Sequence, residues 1–171
     1  NFIKPIAQLR FSPTNGKNIS ATGSRLDYSS IFSPNRIGRT DMVEKGKSLT
    51  LGLEFQKQNL ENEKILGFNL GNIFKDEKNQ TLPNKSKLDQ TRSDIVGDIF
   101  YKFEDAFELN YVFSYDRDLN FSNYDAITAK LGYNKIVTTF DYITENHELG
   151  NSELITNDTE IKFTKEHSLK F

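Results

Sequence analysis

The chain of 171 residues contains no cysteine and no tryptophan, and only 4 prolines and 2 histidines. Without cysteine, disulfide bonds, thiolate metal sites and cysteine nucleophiles are excluded within these residues. No apolar run approaches the roughly 18 residues that a membrane-spanning helix needs, so a helical membrane protein is excluded. Lysine and arginine number 22 against 24 aspartates and glutamates. This balance argues against a general nucleic-acid-binding protein, because such proteins carry a basic excess.

Aromatic residues are abundant for so hydrophilic a chain. There are 14 phenylalanines and 7 tyrosines, although the mean hydropathy is −0.61. Disordered segments are poor in aromatic residues, so we expect these rings to be buried against another surface. The spacing of the apolar residues along the chain indicates what that surface is.

Apolar and polar residues alternate over much of the chain. From Leu49 to Phe55 every second residue is apolar, and the residues between them are polar or glycine. A repeat of two residues is typical of a β-strand with one apolar face. The pattern recurs along the chain and predicts about eight strands, with residues 168–171 opening a further one. No segment has the repeat of an amphipathic helix.

The predicted connections between strands alternate in length. The long ones cover residues 12–46, 75–92 and 144–158, with a medium one at 117–123. The short ones lie at residues 58–64, 104–105 and 134–135. In an up-and-down meander every second connection lies at the same end of the sheet, so the long connections gather at one end and the short turns at the other. This asymmetry is typical of transmembrane outer-membrane barrels, and strands of about 9–11 residues match the span that such a barrel needs.

We therefore predict an all-β fold, an antiparallel up-and-down meander of about eight strands that is part of a transmembrane outer-membrane β-barrel. One face of each strand would meet lipid and the other would line the lumen. The predicted lipid-facing residues are Leu49, Leu51, Leu53, Phe55, Leu66, Phe68, Leu70, Ile95, Ile99, Phe107, Leu109, Tyr111, Phe113, Ile127 and Leu131. The predicted lumen-facing residues are Arg10, Glu54, Asn69, Asp94, Asp98, Lys102, Glu108 and Asn110.

Two other all-β folds remain open at this point. A soluble β-sandwich that serves as a binding module also alternates apolar and polar residues, although its Greek-key connections lack the regular change between long and short. A porin-like channel or a complete eight-stranded barrel is the second alternative, and the length of the chain permits it.

Two loop–strand junctions carry a more specific pattern. Residues 26–46 include an Asn-Arg pair, a glycine, an aspartate and a Glu-x-Gly that opens a strand, and residues 88–97 run from Leu-Asp into a second strand. In this order they resemble the barrel of the lipopolysaccharide-assembly outer-membrane protein (LptD) family. Lys87 departs from the family pattern, which has a small residue there. The matching positions are Asn35, Arg36, Gly38, Asp41, Glu44, Gly46, Ser93, Asp94 and Gly97.

The resemblance implies a non-enzymatic transport role, without a cofactor, in placing lipopolysaccharide in the outer leaflet of the bacterial outer membrane. The implied partners are lipopolysaccharide, a plug lipoprotein seated inside the barrel, and a periplasmic lipopolysaccharide bridge protein that reaches the barrel through an N-terminal jellyroll domain. The family's jellyroll, its cysteines and the remaining strands do not occur in this sequence. We therefore expect residues 1–171 to be a partial barrel domain, a fragment of a larger protein.

Candidate catalytic and metal-binding groups are few. One histidine with two carboxylates in a loop is a weak set of metal ligands, and a pair of aspartates after a strand is typical of a polar loop. No phosphate-binding loop, nucleophile elbow or HExxH motif occurs, so we predict neither a metal site nor an enzyme. The groups considered are Asp116 and Asp118, Glu145, His147, Glu148 and His167.

Overall fold

In the part of the chain that the structure describes, nine antiparallel strands form a single open sheet in which each strand pairs with its neighbours in the chain. The computed structural model describes residues 1–13, 18–21, 25–36, 38, 44–146, 150–162 and 168–171. The strands are β1 (Phe2–Ser12), β2 (Gly46–Gln58), β3 (Lys64–Lys75), β4 (Ile95–Phe103), β5 (Phe107–Tyr115), β6 (Ser122–Tyr133), β7 (Ile136–Glu145), β8 (Ser152–Lys162) and β9 (Ser168–Lys170). The predicted all-β meander is confirmed. The predicted residues Asp41, His147, Glu148 and His167 lie outside the described part of the chain.

The long and short connections lie at opposite ends of the sheet. The long connections are residues 13–45 and 76–94, which we name the first and second long loops. The turns at 59–63, 104–106 and 134–135 close the other end. Glu104 and Asn134 take positive φ angles of 50° and 55° in these turns, as tight hairpin connections require.

The prediction of a long connection at residues 144–158 is wrong. Strand β7 continues to Glu145 and β8 begins at Ser152, and the two pair from this point through Thr139 and Asp158. Residues 152–158 are mostly polar on both faces of the sheet, so they lack the contrast between faces by which the other strands were predicted. The medium connection at 117–123 is also shorter than predicted, because β6 begins at Ser122.

A one-turn helix lies within the first long loop. Helix α1 (Tyr28–Ile31) begins after Asp27, whose carboxylate accepts a hydrogen bond of 2.7 Å from the Ser30 amide. The Ser30 hydroxyl in turn accepts from the Asp27 amide at 3.0 Å, which completes a capping box. A single turn is too short to show a helical repeat in the sequence. Among the described residues, no helix is long and apolar enough to cross a membrane.

The hydrophobic core lies between the two long loops and one face of the sheet. We name this the inner face and the opposite one the outer face. Strands β3 and β4 contribute a single buried side chain each to the core, and the long loops contribute the rest. The core residues are Ile19, Leu26, Tyr28, Ile31, Ile73, Leu82, Leu88 and Val96.

Candidate functional site on the two faces of the sheet

The strand register sorts the predicted site residues by face. Side chains alternate between the faces along a strand, and paired residues on neighbouring strands share a face. One row across the sheet consists of Phe55, Phe68, Ile99, Tyr111 and Ile127 on the outer face. The adjacent row consists of Glu54, Asn69, Asp98, Val112 and Ala126 on the inner face. All the predicted lipid-facing residues lie on the outer face, and the strand residues predicted to face the lumen lie on the inner face.

The outer face exposes large apolar side chains. Leu9 is 84% exposed and Phe11 is 70% exposed, and neither is covered by the described part of either long loop. An exposed apolar surface of this kind marks a contact with membrane or protein. Its exposed members are Ile3, Leu9, Phe11, Leu51, Leu53, Phe74, Tyr101, Phe103, Leu131, Tyr133, Ile136, Phe140, Ile155 and Leu169.

Two glycines on the inner face make room for the first long loop. Gly52 and Gly71 pair across β2 and β3. A Cβ atom at Gly52 would lie 2.5 Å from Phe32 Cζ, and one at Gly71 would lie 2.1 Å from Ile31 Cδ1. Any larger residue would therefore displace the loop, so these glycines let α1 and the residue after it pack directly on the backbone of the sheet.

Helix α1 is also bound to the sheet by a hydrogen bond. The Tyr28 hydroxyl donates to Glu54 Oε1 at 3.1 Å. Burial, together with the negative charge of Glu54 and this hydrogen bond, raises the pKa of Tyr28, so the phenol remains protonated and can donate. Glu54 also accepts from Lys4 Nζ at 3.1 Å. The predicted lumen-facing Glu54 thus binds the loop on one side and β1 on the other.

A buried ion pair fixes the end of the first long loop. Arg36 is 1% exposed, and its Nε donates to Glu44 Oε2. Its other two nitrogens donate to the hydroxyls of Ser48 at 2.9 Å and Thr50 at 3.1 Å. The guanidinium therefore joins the loop to the inner face of β2, and all of its nitrogen atoms have partners.

Two further cations surround the same carboxylate. Lys75 Nζ lies 2.6 Å from Glu44 Oε1, and Arg10 Nη1 lies 3.4 Å from Glu44 Oε2. Burial alone would raise the pKa of Glu44, but the hydrogen bond from Arg36 and the charge of Lys75 outweigh it, so the pKa lies below its ordinary value of 4.5. We name Arg10, Arg36, Glu44 and Lys75 the ion cluster. It holds three positive charges around one ionised carboxylate.

Asp94 anchors the second long loop to the sheet. It lies immediately before β4, is fully buried, and its Oδ2 accepts from Asn123 Nδ2 at 2.8 Å and from the Ser114 hydroxyl at 3.4 Å. The Asp94 backbone oxygen accepts from Asn72 Nδ2 at 2.9 Å. Asp94 therefore lies beneath the loops and joins β4, β5 and β6, while the other predicted lumen-facing residues lie on the strands themselves.

The first long loop also contacts strands far from those that it connects. Arg25 Nη2 lies 2.6 Å from Glu145 Oε1 at the end of β7. The guanidinium of Arg25 lies 3.8 Å from the centre of the Tyr124 ring on β6. Because Gln8 of β1 donates to the Phe32 oxygen and α1 contacts β3 and β4, the described part of the loop extends across the inner face from β1 to β7. It covers the half of that face nearest the long connections.

The half of the inner face nearest the short turns is more open. Asn69 Nδ2 donates to the Asp98 carboxylate at 2.9 Å, and both side chains are partly buried. Lys102 Nζ lies 3.7 Å from Asp105 Oδ1, at the surface. Glu108 and Asn110 lie on β5, and Asn110 is exposed.

Two of the three motif glycines hold backbone conformations that suit glycine. Gly38 and Gly46 take φ angles of 72° and 107°, in the region that other residues rarely adopt. Ser93 donates from its hydroxyl to the Asp94 oxygen at 2.8 Å. Asn35 lies at the turn before Arg36, and Gly97 lies in β4 under the Phe113 ring, on the outer face.

Sequence reasoning missed Tyr28, Lys75, Asn72 and Asn123. Nothing local in the sequence marks these four residues, because their partners are distant in the chain. Gly52 and Gly71 could have been recognised from the sequence. Glycine on the polar side of two neighbouring predicted strands indicates that another segment packs closely against the sheet there.

A model of the LptD family, whose description is LPS transport system D, matches residues 1–169. No curated protein matches the chain significantly. The match covers both long loops and strands β1 to β8.

Proposed function

Because the chain belongs to the LptD family, a family of lipopolysaccharide (LPS) transport proteins, we propose that it forms part of the wall of an outer-membrane β-barrel through which LPS reaches the outer leaflet. The observation that supports this role best is the difference between the two faces of the sheet. The outer face exposes large apolar side chains, whereas the inner face is largely polar and is covered in part by the long loops.

The dimensions of the strands suit a membrane-spanning wall. Strands β1 to β8 contain 9 to 13 residues each, and a tilted transmembrane strand needs about 9–11. In barrels of this kind the long connections are extracellular and the short turns are periplasmic. The first and second long loops would then lie at the cell surface.

We further propose that the open half of the inner face is where the plug lipoprotein contacts this wall. This surface carries Lys102, Glu108, Asn110 and Lys130, and it lies at the end of the short turns, away from both long loops. LPS delivered by a periplasmic bridge protein would enter from this end. A polar lumen suits the sugar and phosphate groups of LPS, whereas its acyl chains need the apolar side of the wall.

Additional strands would be needed to close the barrel. Among the described residues, β1 and β9 form the edges of an open sheet. Unpaired backbone groups of an edge strand cannot be left in hydrocarbon, so we propose that residues 1–171 are one part of a larger barrel domain. The transport role involves no covalent chemistry.

The proposal is tested by the environment of neighbouring residues on β5. Nitroxide labels on Leu109→Cys and Asn110→Cys would be introduced into the full-length protein in lipid bilayers without the plug lipoprotein. Oxygen concentrates in hydrocarbon, whereas a nickel chelate stays in water. We therefore expect oxygen to raise the spin relaxation rate of the nitroxide at 109 and the nickel chelate to raise that of the nitroxide at 110. Equal accessibility of both labels to nickel would contradict a membrane wall and would favour a soluble β-sandwich.

A further inference from the structure

Two apolar grooves lie side by side on the outer face, at the end of the long loops. The first has a volume of about 510 Å³ and the second of about 320 Å³. Phe74 lines both, so its ring forms the ridge between them. The other apolar side chains of the first groove are Leu9, Phe11 and Leu49, and its charged ones are Arg10, Lys47, Lys75 and Asp76. The second groove is lined by Leu51, Leu53, Leu70, Arg92 and Ile95.

Arg92 is held in place at the second groove. Its Nε donates to Asn72 Oδ1 at 3.2 Å, and its guanidinium lies 5.6 Å from the centre of the Phe74 ring. Asn72 is itself fixed, because its Nδ2 donates to the backbone oxygens of Ser93 at 2.8 Å and Asp94 at 2.9 Å. These contacts orient the guanidinium and leave its two terminal nitrogens for another acceptor.

The charge of Arg92 is not balanced by a nearby carboxylate. Within the part of the chain that the structure describes, no aspartate or glutamate forms a salt bridge with it. The first groove is lined by Arg10, Lys47, Lys75 and Asp76, and the charges of Arg10 and Lys75 are paired with Glu44. Arg92 is the charged residue that lines the second groove. Arg92 therefore offers an anion a positive charge with no carboxylate bound to it in the described part of the chain.

We propose that the two grooves and Arg92 bind the lipid A portion of LPS, a phosphorylated glycolipid with several acyl chains. The guanidinium presents two parallel N–H donors, which is the geometry that phosphate prefers. The acyl chains lie in the grooves on either side of Phe74. This inference rests on the proposed function, because the grooves face the outer leaflet, where LPS resides, only if the long loops are extracellular.

Native mass spectrometry of the full-length protein in detergent tests the site. The probes are lipid A carrying two phosphates and the same lipid A without phosphate. We expect Arg92→Gln to lower the affinity for the phosphorylated form roughly tenfold and to leave binding of the dephosphorylated form unchanged. Arg92→Lys should lie between the two, because it keeps the charge and loses the paired donors.

Two further variants separate the phosphate contact from the acyl-chain contact. Lys57→Gln removes a positive charge at the other end of the outer face, so it should bind both probes as the wild type does. Phe74→Ser removes the ridge between the grooves and should weaken binding of both probes alike.

Three results would overturn the site. They are equal affinity of the wild type for both probes, equal effects of Arg92→Gln and Lys57→Gln, and phosphatidylglycerol binding as tight and as dependent on Arg92 as that of lipid A. If the labels on β5 report a membrane wall while any of these results is obtained, the lipid A site is wrong and the proposed barrel function stands.

Discussion

Arg36 and Glu44 form a buried ion pair between two positions of the motif by which the chain resembles its family. The pair connects the end of the first long loop to the inner face of β2, since Arg36 also donates to the hydroxyls of Ser48 and Thr50. The motif therefore has a structural explanation in this segment. Arg36 and Glu44 bind the loop to β2, and Gly38 and Gly46 take the positive φ angles on either side of Glu44.

Replacing Glu44 by glutamine should detach the first long loop. The substitution leaves Arg10, Arg36 and Lys75 close together without a negative charge, and breaking a buried ion pair costs about 3–5 kcal/mol. We expect the cost to appear as faster hydrogen–deuterium exchange of residues 26–36 in the full-length protein, because a loop can open while the strands stay paired.

The matched control is Asp118→Asn. Asp118 lies beside Arg117 at the surface, where its side chain is 59% exposed, and exposed pairs contribute at most about 1 kcal/mol. The same change from carboxylate to amide should therefore leave exchange unaltered. Equal protection of residues 26–36 in Glu44→Gln and the wild type would show that the ion cluster does not hold the loop.

Attachment of the loop should weaken in acid. The pKa of Glu44 is lowered in the folded protein, so the carboxylate gains a proton more readily when the loop is detached. The resulting stability is present above the ordinary pKa of 4.5 and is lost as the pH falls through the lower folded pKa. In the wild type, the protection of residues 26–36 against hydrogen–deuterium exchange should decline below about pH 4.5, once the pH dependence of the intrinsic exchange rate is corrected for.

The Glu44→Gln variant checks the origin of this pH dependence. Glutamine does not titrate, so the decline attributable to Glu44 should be absent from the variant. An equal decline in both proteins would assign the effect to other carboxylates.

Much of the sheet could be predicted from the sequence because its cause is local. Alternation from Leu49 to Phe55 follows directly from one face being apolar, and the tight turns at Glu104 and Asn134 follow from short polar connections. Strand β8 could not be placed in full, because Glu153 and Thr156 are polar on opposite faces and its pairing with β7 depends on the backbone.

The contacts within the site could not be predicted, because they join residues far apart in the chain. Glu54 was predicted as a lumen-facing residue, but its hydrogen bond to Tyr28 depends on the path of the first long loop. Asp94 was predicted to face the lumen, and the alternation of residues did not predict that it is buried against Ser114 of β5 and Asn123 of β6. Alternation predicts the face of a residue and not what covers it.

Enlarging Gly71 should displace α1 from the inner face. A valine there would place its Cβ 2.1 Å from Ile31 Cδ1, with further atoms that the space cannot hold. We expect the barrel to assemble and the first long loop to become sensitive to protease added to intact cells, because the pairing of β2 with β3 does not require glycine.

Gly67→Val provides the matched control on the same strand and face. The Cβ of this variant would meet only the flexible end of Lys64, with Cε at 2.2 Å, which can move aside into solvent. Cleavage of the loop in Gly71→Val and not in Gly67→Val supports α1 packing on the wall. Resistance of both variants would contradict it.

Arginine substitutions should reveal the depth of the outer face in the bilayer. Leu51 and Ile127 lie near the middle of β2 and β6 on the outer face. Arginine at the bilayer midplane costs about 2–4 kcal/mol, whereas Asn110→Arg on the open inner face should cost under about 0.5 kcal/mol. The free energy of unfolding in lipid vesicles measures this difference. Similar costs at all three positions would mean that hydrocarbon does not cover the outer face.

Arg25 should hold the first long loop against β6 and β7 through its contacts with Tyr124 and Glu145. Its guanidinium lies 2.6 Å from Glu145 and over the ring of Tyr124, and the side chains of Arg25 and Glu145 are 19% and 22% exposed. In a double-mutant cycle of Arg25→Ala and Glu145→Ala, we expect a coupling energy of about 1 kcal/mol, since the pair is partly shielded from water. Exchange protection of residues 25–31 measures it.

The exposed pair of Lys102 and Asp105 serves as the reference cycle. Asp105 is fully solvated and lies 3.7 Å from Lys102, so its coupling should be indistinguishable from zero. If the Arg25 cycle gives no more coupling than this reference, the loop does not depend on contacts with β6 and β7. If the coupling is present, Arg25→Ala should speed hydrogen–deuterium exchange of residues 25–31 more than that of residues 44–46. The ion cluster holds residues 44–46, at the other end of the same loop, independently of Arg25.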